Sequence, residues 1–265
     1  MALCTPMTRS GYAFSNASDQ SGAHHDALAE LLDAQTHETI TNAVDLSGSR
    51  CLEVAAGAGS IAMWLAGRSS EVVATDIAPQ HIPDRPHLTV RRHDIVTDDP
   101  PGRFDLVHAR LLLGHLPQRT TALRQLVRAL APGGVLVTGD LALAPGAFVM
   151  AAPDHDTADV LSRYVTAHVR ALTAHGYDND WAHRAPAAFE SAGLAEVQFR
   201  SSGQSWRGGG AGCRLLLAGL PQLRTSLLAH GFTDDDLTAT AAALTDPRVL
   251  LNGFLFAQTT GRLPV

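Results

Sequence analysis

The chain has no lysine: all twenty of its basic residues are arginine. That removes Schiff-base chemistry on a lysine amine and any lysine-based phosphate loop. Cysteine is scarce. Cys4, Cys51 and Cys213 are odd in number and far apart, so they read as reduced thiols of a cytoplasmic protein rather than a disulfide framework or a zinc site. Positive charge is not in excess. The net charge is −6 and the pI about 6.1, which leaves no footprint for nucleic acid. No run reaches the roughly 18 apolar residues of a membrane-spanning helix. No basic stretch followed by an apolar one marks a signal peptide. The 265 residues, 45% of them hydrophobic, suffice for a sizeable core, either as one large domain or as a domain with a cap.

The most informative stretch runs from Cys51 to Ala66, CLEVAAGAGSIAMWLA. It reads as a buried strand, a glycine-bearing turn and the start of an amphipathic helix. A glycine turn feeding a helix lets a ligand press against bare backbone and free N–H groups. A second strand, 71–76, ends in Asp76. A carboxylate about 20 residues past the turn is placed to take both hydroxyls of a ribose. The pattern predicts a nucleoside-containing cofactor.

Residues 1–22 are polar and read as mobile without ligand. A helix is expected over 24–45, with Leu28, Leu31, Leu32 and Ile40 on one face. Strands are expected at 50–55, 71–76, 88–92, 104–108 and 135–138. Pro79, Pro83 and Pro86 exclude a long helix between the second and third of these. A helix over 118–130 places Leu123, Leu126, Val127 and Leu130 on one stripe. This alternation implies a doubly wound α/β fold with a parallel sheet covered on both faces. Beyond Asp140 the expected elements are helices at 155–176, 186–192, 213–230 and 233–245, and strands at 196–200 and 250–259. Trp206 to Gly210 reads as a loop.

Gly57 to Ala62 fits the dinucleotide pattern G-x-G-x-x-G/A, so an NAD-linked oxidoreductase has to be weighed. Glu53 argues against it, because dinucleotide folds prefer an apolar residue inside the first strand. A cationic sulfonium ligand with an ammonium group tolerates a carboxylate there. The order and spacing of Glu53-x-Ala55-x-Gly57-x-Gly59, Asp76, His93 to Ile95, Phe104 to Arg110, His115-Leu116 and Leu130 to Gly134 resemble class I S-adenosylmethionine (SAM) methyltransferases. Tyr12 to Asn16, Trp206 to Gly210 and Gly261-Arg262 are similar to a bacterial subfamily that methylates specialised metabolites.

The resemblance implies a Rossmann-like seven-stranded methyltransferase sheet, its last strand antiparallel, with helical cap insertions. A lid and helix at 1–45 would precede a domain at 46–265, with insertions at about 141–190 and 201–246. The implied cofactor is SAM, with S-adenosylhomocysteine as product and no metal. Glu53 would lie near the methionine ammonium, and Ala55, Gly57 and Gly59 along the methionine portion. Asp76 would hold the ribose, with Ile77 on the adenine, Asp94 on its amino group and Ile95 beside the ring. Ala109 and Arg110 would border the methionine end, and Tyr12 would close over it. Two residues depart from the family. Ala55 stands where glycine is usual, and Gly139 precedes Asp140 where an acidic pair is common.

A hydroxyl acceptor needs a general base. His115, His168 and Asp140 are the candidates, with His155 behind them. Each has a plain alternative: His115 as a helix cap, His168 as a core histidine, Asp140 as a strand end. Arg110 is open between an acidic substrate group and a structural ion pair. Gly208 to Gly210 reads as a loop near the cofactor half, and Trp206 as its anchor or a stacking face. Asp234 to Asp236, at a helix start, reads as dipole complement rather than metal site; Asp178 to Asp180 likewise carries no metal expectation.

The apolar insertions predict a closed pocket. The expected partner is a small-molecule or modified-peptide acceptor, with oxygen the favoured atom. Neither nucleic acid nor membrane is expected, and a homodimer is compatible. The rivals are a SAM-binding cyclase or rearrangement enzyme that does not methylate, and a non-catalytic protein that keeps the pocket.

Overall fold

Helix α1, Ser21–Ala43, leads into strand β1, Arg50–Val54, in a computed structural model that describes residues 21–143 and 145–265. Tyr12 and Cys4 lie outside the described residues. Helix α2, Ser60–Ala66, and strands β2, Glu71–Asp76, and β3, Leu88–Arg92, follow. Between β2 and β3 the prolines allow only a single turn of 3-10 helix, Pro79–His81. Next come β4, Phe104–Arg110, α3, Arg119–Arg128, and β5, Leu130–Ala142. Strand β5 runs beyond the expected 135–138 at both ends: Leu130 pairs with Phe104 of β4, and residues 135–142 all find antiparallel partners on the last strand.

Strand β6, Val149–Ala151, and helix α4, His155–Ala174, begin the less regular half. Asp154 caps α4, its side chain accepting from the Thr157 amide at 2.8 Å. Helix α5, Trp181–Ser191, starts five residues before the expected 186 and carries Pro186 inside it. Burial of Trp181, Ala182, Ala185 and Phe189 on one face outweighs the proline. Then come β7, Ala195–Ser202, β8, Ser205–Arg207, α6, Ala211–Ala229, and α7, Asp234–Thr245. The expected strand at 250–259 is two strands, β9, Leu250–Asn252, and β10, Leu255–Arg262. They part at Gly253, where a Cβ would fall 2.4 Å from the Gln204 carbonyl oxygen.

The main sheet has the order β3-β2-β1-β4-β5-β10-β7. Strands β1 to β5 pair in parallel, and β10 is antiparallel to both β5 and β7. Strand order reverses between β1 and β4, so the switch point that creates a crevice in such sheets lies there. Side chains alternate across the sheet. Cys51, Val72, Leu106 and Val137 meet Ile40 of α1 and Leu65 of α2 on one face. Leu52, Val107 and Leu136 meet Leu123 and Leu126 of α3 and Phe189 of α5 on the other. Each fully buried leucine contributes about 1.5–3 kcal/mol relative to exposure.

A second core belongs to the cap. Helices α4, α6 and α7 bury Tyr164, Leu161, Leu223, Leu227 and Phe232 around it, beside a three-stranded sheet of order β6-β9-β8. Ala27, Leu31 and Leu32 of α1 join this cluster. One helix therefore packs its first half on the cap and its second half on the main sheet.

Candidate active site

The turn after β1 is held in left-handed backbone. Gly57 has φ +58° and Gly59 φ +85°, and Ala55 has φ +56° although it is not glycine. A side chain at Gly59 would strike Ile82, whose Cγ2 is 2.9 Å from the Cβ position. Asp76, 4% exposed, closes the turn from the end of β2. Its Oδ2 accepts from the Gly57 amide at 3.0 Å and its Oδ1 from the Ala78 amide at 2.8 Å. A carboxylate has about four acceptor positions, so two remain for hydroxyls. Ile77, next in the chain, is 45% exposed. A buried carboxylate beside an uncovered apolar side chain fits a nucleoside, ribose on the first and base on the second.

Asp94 and Ile95 follow β3. The Asp94 Oδ1 accepts from the Val96 amide at 2.9 Å, which turns the chain and fixes the carboxylate at the rim. Ile95 is buried in the core with Leu52 and Leu123. Ala109, near the end of β4, is also buried.

Glu53 is buried inside β1, and His108 of β4 lies next to it in register. The His108 Nδ1 and the Glu53 carboxylate are 2.5 Å apart. With its proton on Nδ1, His108 orients the carboxylate and leaves its second oxygen for a cationic group. Arg110 turns away from the crevice. Its guanidinium pairs with Asp33 of α1 at 2.8 Å and donates to the Thr36 hydroxyl at 3.1 Å. The Ser60 hydroxyl donates to the same Asp33 carboxylate at 3.2 Å. Of the two readings open for Arg110, the structural ion pair is the one present. It ties α1 to the ends of the cofactor-side elements.

Between these strand ends and the cap lies a cavity of about 50 Å³. Leu28, Leu111, Leu141, Leu172, Leu215 and Phe254 supply most of its wall, and His24, His115 and His168 its nitrogen atoms. Burial pushes His168 down to about 4 and His115 to about 3, and the other cavity histidines oppose a charge further. His24 falls to about 4 for the same first reason, with His25 adding repulsion. All three are neutral at pH 7. The Tyr164 hydroxyl is 3.1 Å from His168 Nδ1, and the rings of His115 and Tyr177 lie 4.7 Å apart. Asp140 is buried on the other side of Tyr177 and is not among the described lining residues. It accepts from the Gly114 amide at 3.1 Å. Burial raises its carboxyl to about 7, against the pull of that amide, Trp181 and Arg119. His155 begins α4 and does not line the cavity.

Several other expectations resolve differently. The loop of Gly208 to Gly210 packs on the cap rather than near the cofactor half. A Cβ at Gly208 would fall 1.9 Å from the Asp246 carbonyl oxygen, and the Gly209 amide donates to the Leu244 carbonyl at 2.8 Å. Trp206 is a buried anchor, wedged where a Cβ at Gly212 would come within 2.0 Å of its ring. Asp236 forms a capping box with Thr233 and pairs with Arg163, while Asp234 pairs with Arg224. Among the described residues no cluster of three histidine, cysteine or acidic side chains is disposed to hold a metal ion, and no helix is long and apolar enough to cross a membrane.

Residues 52–136, from β1 into β5, match the family model of a methyltransferase domain. Over those residues the chain carries a domain of the methyltransferase family. The chain is 29% identical over 184 residues to methyltransferase str3 of Strobilurus tenacellus, a match covering 66% of the chain and 62% of str3. It is 30% identical over 124 residues to the ubiquinone biosynthesis O-methyltransferase of Xanthomonas euvesicatoria, covering 43% of the chain and 52% of that enzyme. The chain thus spans between half and two thirds of these curated relatives' lengths. In fold it is similar to the YcgJ protein of Bacillus subtilis, with a TM-score of 0.58 and 15% identity over 88% of the chain and 99% of YcgJ.

Sequence reasoning missed His24, His25, Asp33 and His108. For His108 a signal existed. Glu53 stands one residue before the end of β1 and His108 two before the end of β4, in strands that flank the switch point. For α1 none did, because nothing local in its sequence says which strand ends it crosses.

Proposed function

We propose that this chain transfers a methyl group from SAM to a hydroxyl oxygen of an uncharged, largely apolar small molecule, as part of specialised metabolism. The observation that carries this reading is the wall of the cavity. It combines leucines, a phenylalanine and three neutral imidazoles, with no arginine, aspartate or glutamate among its described lining residues. A carboxylate, phosphate or ammonium acceptor would lose its hydration there without a partner, which is strongly unfavourable. A hydroxyl compound would not. The name of the ubiquinone-biosynthesis relative also favours oxygen.

SAM, when bound, supplies an activated methyl group with a good leaving group. The chain's own residues then have three tasks. Asp76, the glycine turn and the Glu53–His108 pair hold the donor. The cap and α1 exclude water and align the acceptor oxygen. His115, which follows β4 on the sheet side of the cavity, is too weakly basic after burial to ionise the free hydroxyl; its uncharged ring takes the proton as the oxygen–methyl bond forms and acidifies that oxygen. Asp140 supports that wall through Gly114. Small-molecule pockets run to about 300–1,000 Å³, so the cavity widens to admit an organic acceptor.

The test uses methyl-labelled SAM and a panel of phenolic and aliphatic hydroxyl compounds, read by mass spectrometry. Label on a product oxygen is the expected result. His115→Asn should lower turnover by about 10²–10⁴-fold while leaving S-adenosylhomocysteine affinity unchanged. Label retained on SAM while an acceptor rearranges would replace this reading with the cyclase one.

A further inference from the structure

His25 stands one residue from His24 on α1 but faces the other way. His24 lines the acceptor cavity, whereas the His25 ring lies on the glycine turn of the cofactor half. A Cβ added at Gly57 would fall 3.1 Å from His25 Cε1 and 3.3 Å from its Nδ1. Gly57 is the residue whose amide binds Asp76. The ring is thus laid against the turn that the proposed ribose and methionine portions share. Its Nε2 is fully enclosed and has no hydrogen-bond partner among the described residues. Buried nitrogens of this kind are uncommon, because leaving one unpaired forfeits its hydration. A side chain that only filled the crevice would serve better as a leucine or phenylalanine.

Its electrical setting is mixed. Burial disfavours the charged ring most, His81 and Arg110 oppose charge as well, and Asp76 and Asp26 favour it. A neutral ring with its proton on Nε2 is a hydrogen-bond donor that does not repel a sulfonium. We propose that His25 is a direct ligand of the bound cofactor, its Nε2–H donating to an oxygen of the ribose–methionine portion over Gly57. This rests on the SAM reading above. It assigns to α1, outside the cofactor motifs of β1 to β4, a contact in the donor site.

Titration with S-adenosylhomocysteine by calorimetry tests it on the full chain. The wild-type protein must bind first; if it does not, the SAM reading itself has failed. Given binding, His25→Ala and His25→Phe should both weaken affinity about 2- to 13-fold, the range of one lost neutral hydrogen bond. His25→Gln keeps a donor and should recover part of the loss. Unchanged affinity in the alanine and phenylalanine variants overturns the proposal. Tighter binding in His25→Ala also overturns it, by making the ring an obstruction that the ligand displaces. If the variants fail to fold, nitrogen NMR of the wild-type histidines decides. The His25 Nε2 resonance should move on saturation with S-adenosylhomocysteine, and a static resonance refutes the contact.

Discussion

Ala55 is the residue whose substitution best tests the reading of the cofactor turn. Its φ of +56° belongs to a region that costs an L-residue about 1–2 kcal/mol. Glycine adopts it freely, yet glycine loses about 0.5–1 kcal/mol more backbone entropy on folding than alanine. Ala55 is only half-buried, so deleting its methyl group forfeits part of the roughly 0.8 kcal/mol that a fully buried methylene contributes. Strain relief and the two losses nearly balance, leaving Ala55→Gly at about 0–1 kcal/mol more stable. Ala55→Asn should be close to neutral, because asparagine tolerates this backbone. Ala55→Val should be the least stable, since a β-branched residue is poorly accommodated at positive φ. Urea unfolding with a constant m-value would read the series as shifts in midpoint. The order Gly, Asn, Ala, Val is expected. A glycine variant destabilised by more than about 1 kcal/mol would refute the strain argument. The glycine variant should also bind S-adenosylhomocysteine at least as tightly as the wild type, because the turn loses a protruding methyl group.

Asp76→Ala should weaken S-adenosylhomocysteine binding by about 1–3 kcal/mol, measured by calorimetry; unchanged affinity would count against placing the ribose on this carboxylate. Gly212→Ala would put a Cβ 2.0 Å from the Trp206 ring, and overpacking of this kind costs about 1–3 kcal/mol. A lowered unfolding midpoint with altered tryptophan fluorescence is expected, and a wild-type midpoint would show that Trp206 is not wedged. Asp140 has a folded value raised to about 7 from 3.8, so the native state holds a proton that the unfolded chain releases. Its contribution to stability is therefore fully present below about pH 4 and is lost as pH rises through 7. Asp140→Asn, whose amide oxygen still accepts from Gly114, should gain stability relative to wild type between pH 4 and pH 8, by up to about 4 kcal/mol. A difference between the two proteins that stays flat across that window would place Asp140 in a wetter site.

The β1–α2–β2 unit that carries the proposed cofactor turn was legible because its determinants are local. Strand, glycine turn, helix and the terminal carboxylate of the next strand all lie within residues 50–76, and the three prolines after β2 limited that crossover to one turn of 3-10 helix. Periodicity also found α3 and α4. It failed where packing overrides local preference, as at α5, whose buried Trp181 face carries the helix through Pro186. It failed again at Gly253, where contact with Trp206 rather than chain propensity divides β9 from β10. The cavity under the cap was hidden for a more general reason. Its wall draws on α1, the segment after β4, the end of β5, α4, Tyr177, α6 and Phe254, seven places spread over more than two hundred residues. No spacing rule links them. Their convergence depends on α1 bridging cap and sheet, held by Arg110 to Asp33 on one side and by Leu31 and Leu32 on the other. Because His24 and His25 are neighbours on that helix and face different halves of the site, any shift of α1 that widens the acceptor cavity also moves a side chain laid on the cofactor turn. The two halves cannot be rearranged independently, and that coupling lives in a helix the cofactor motif does not include.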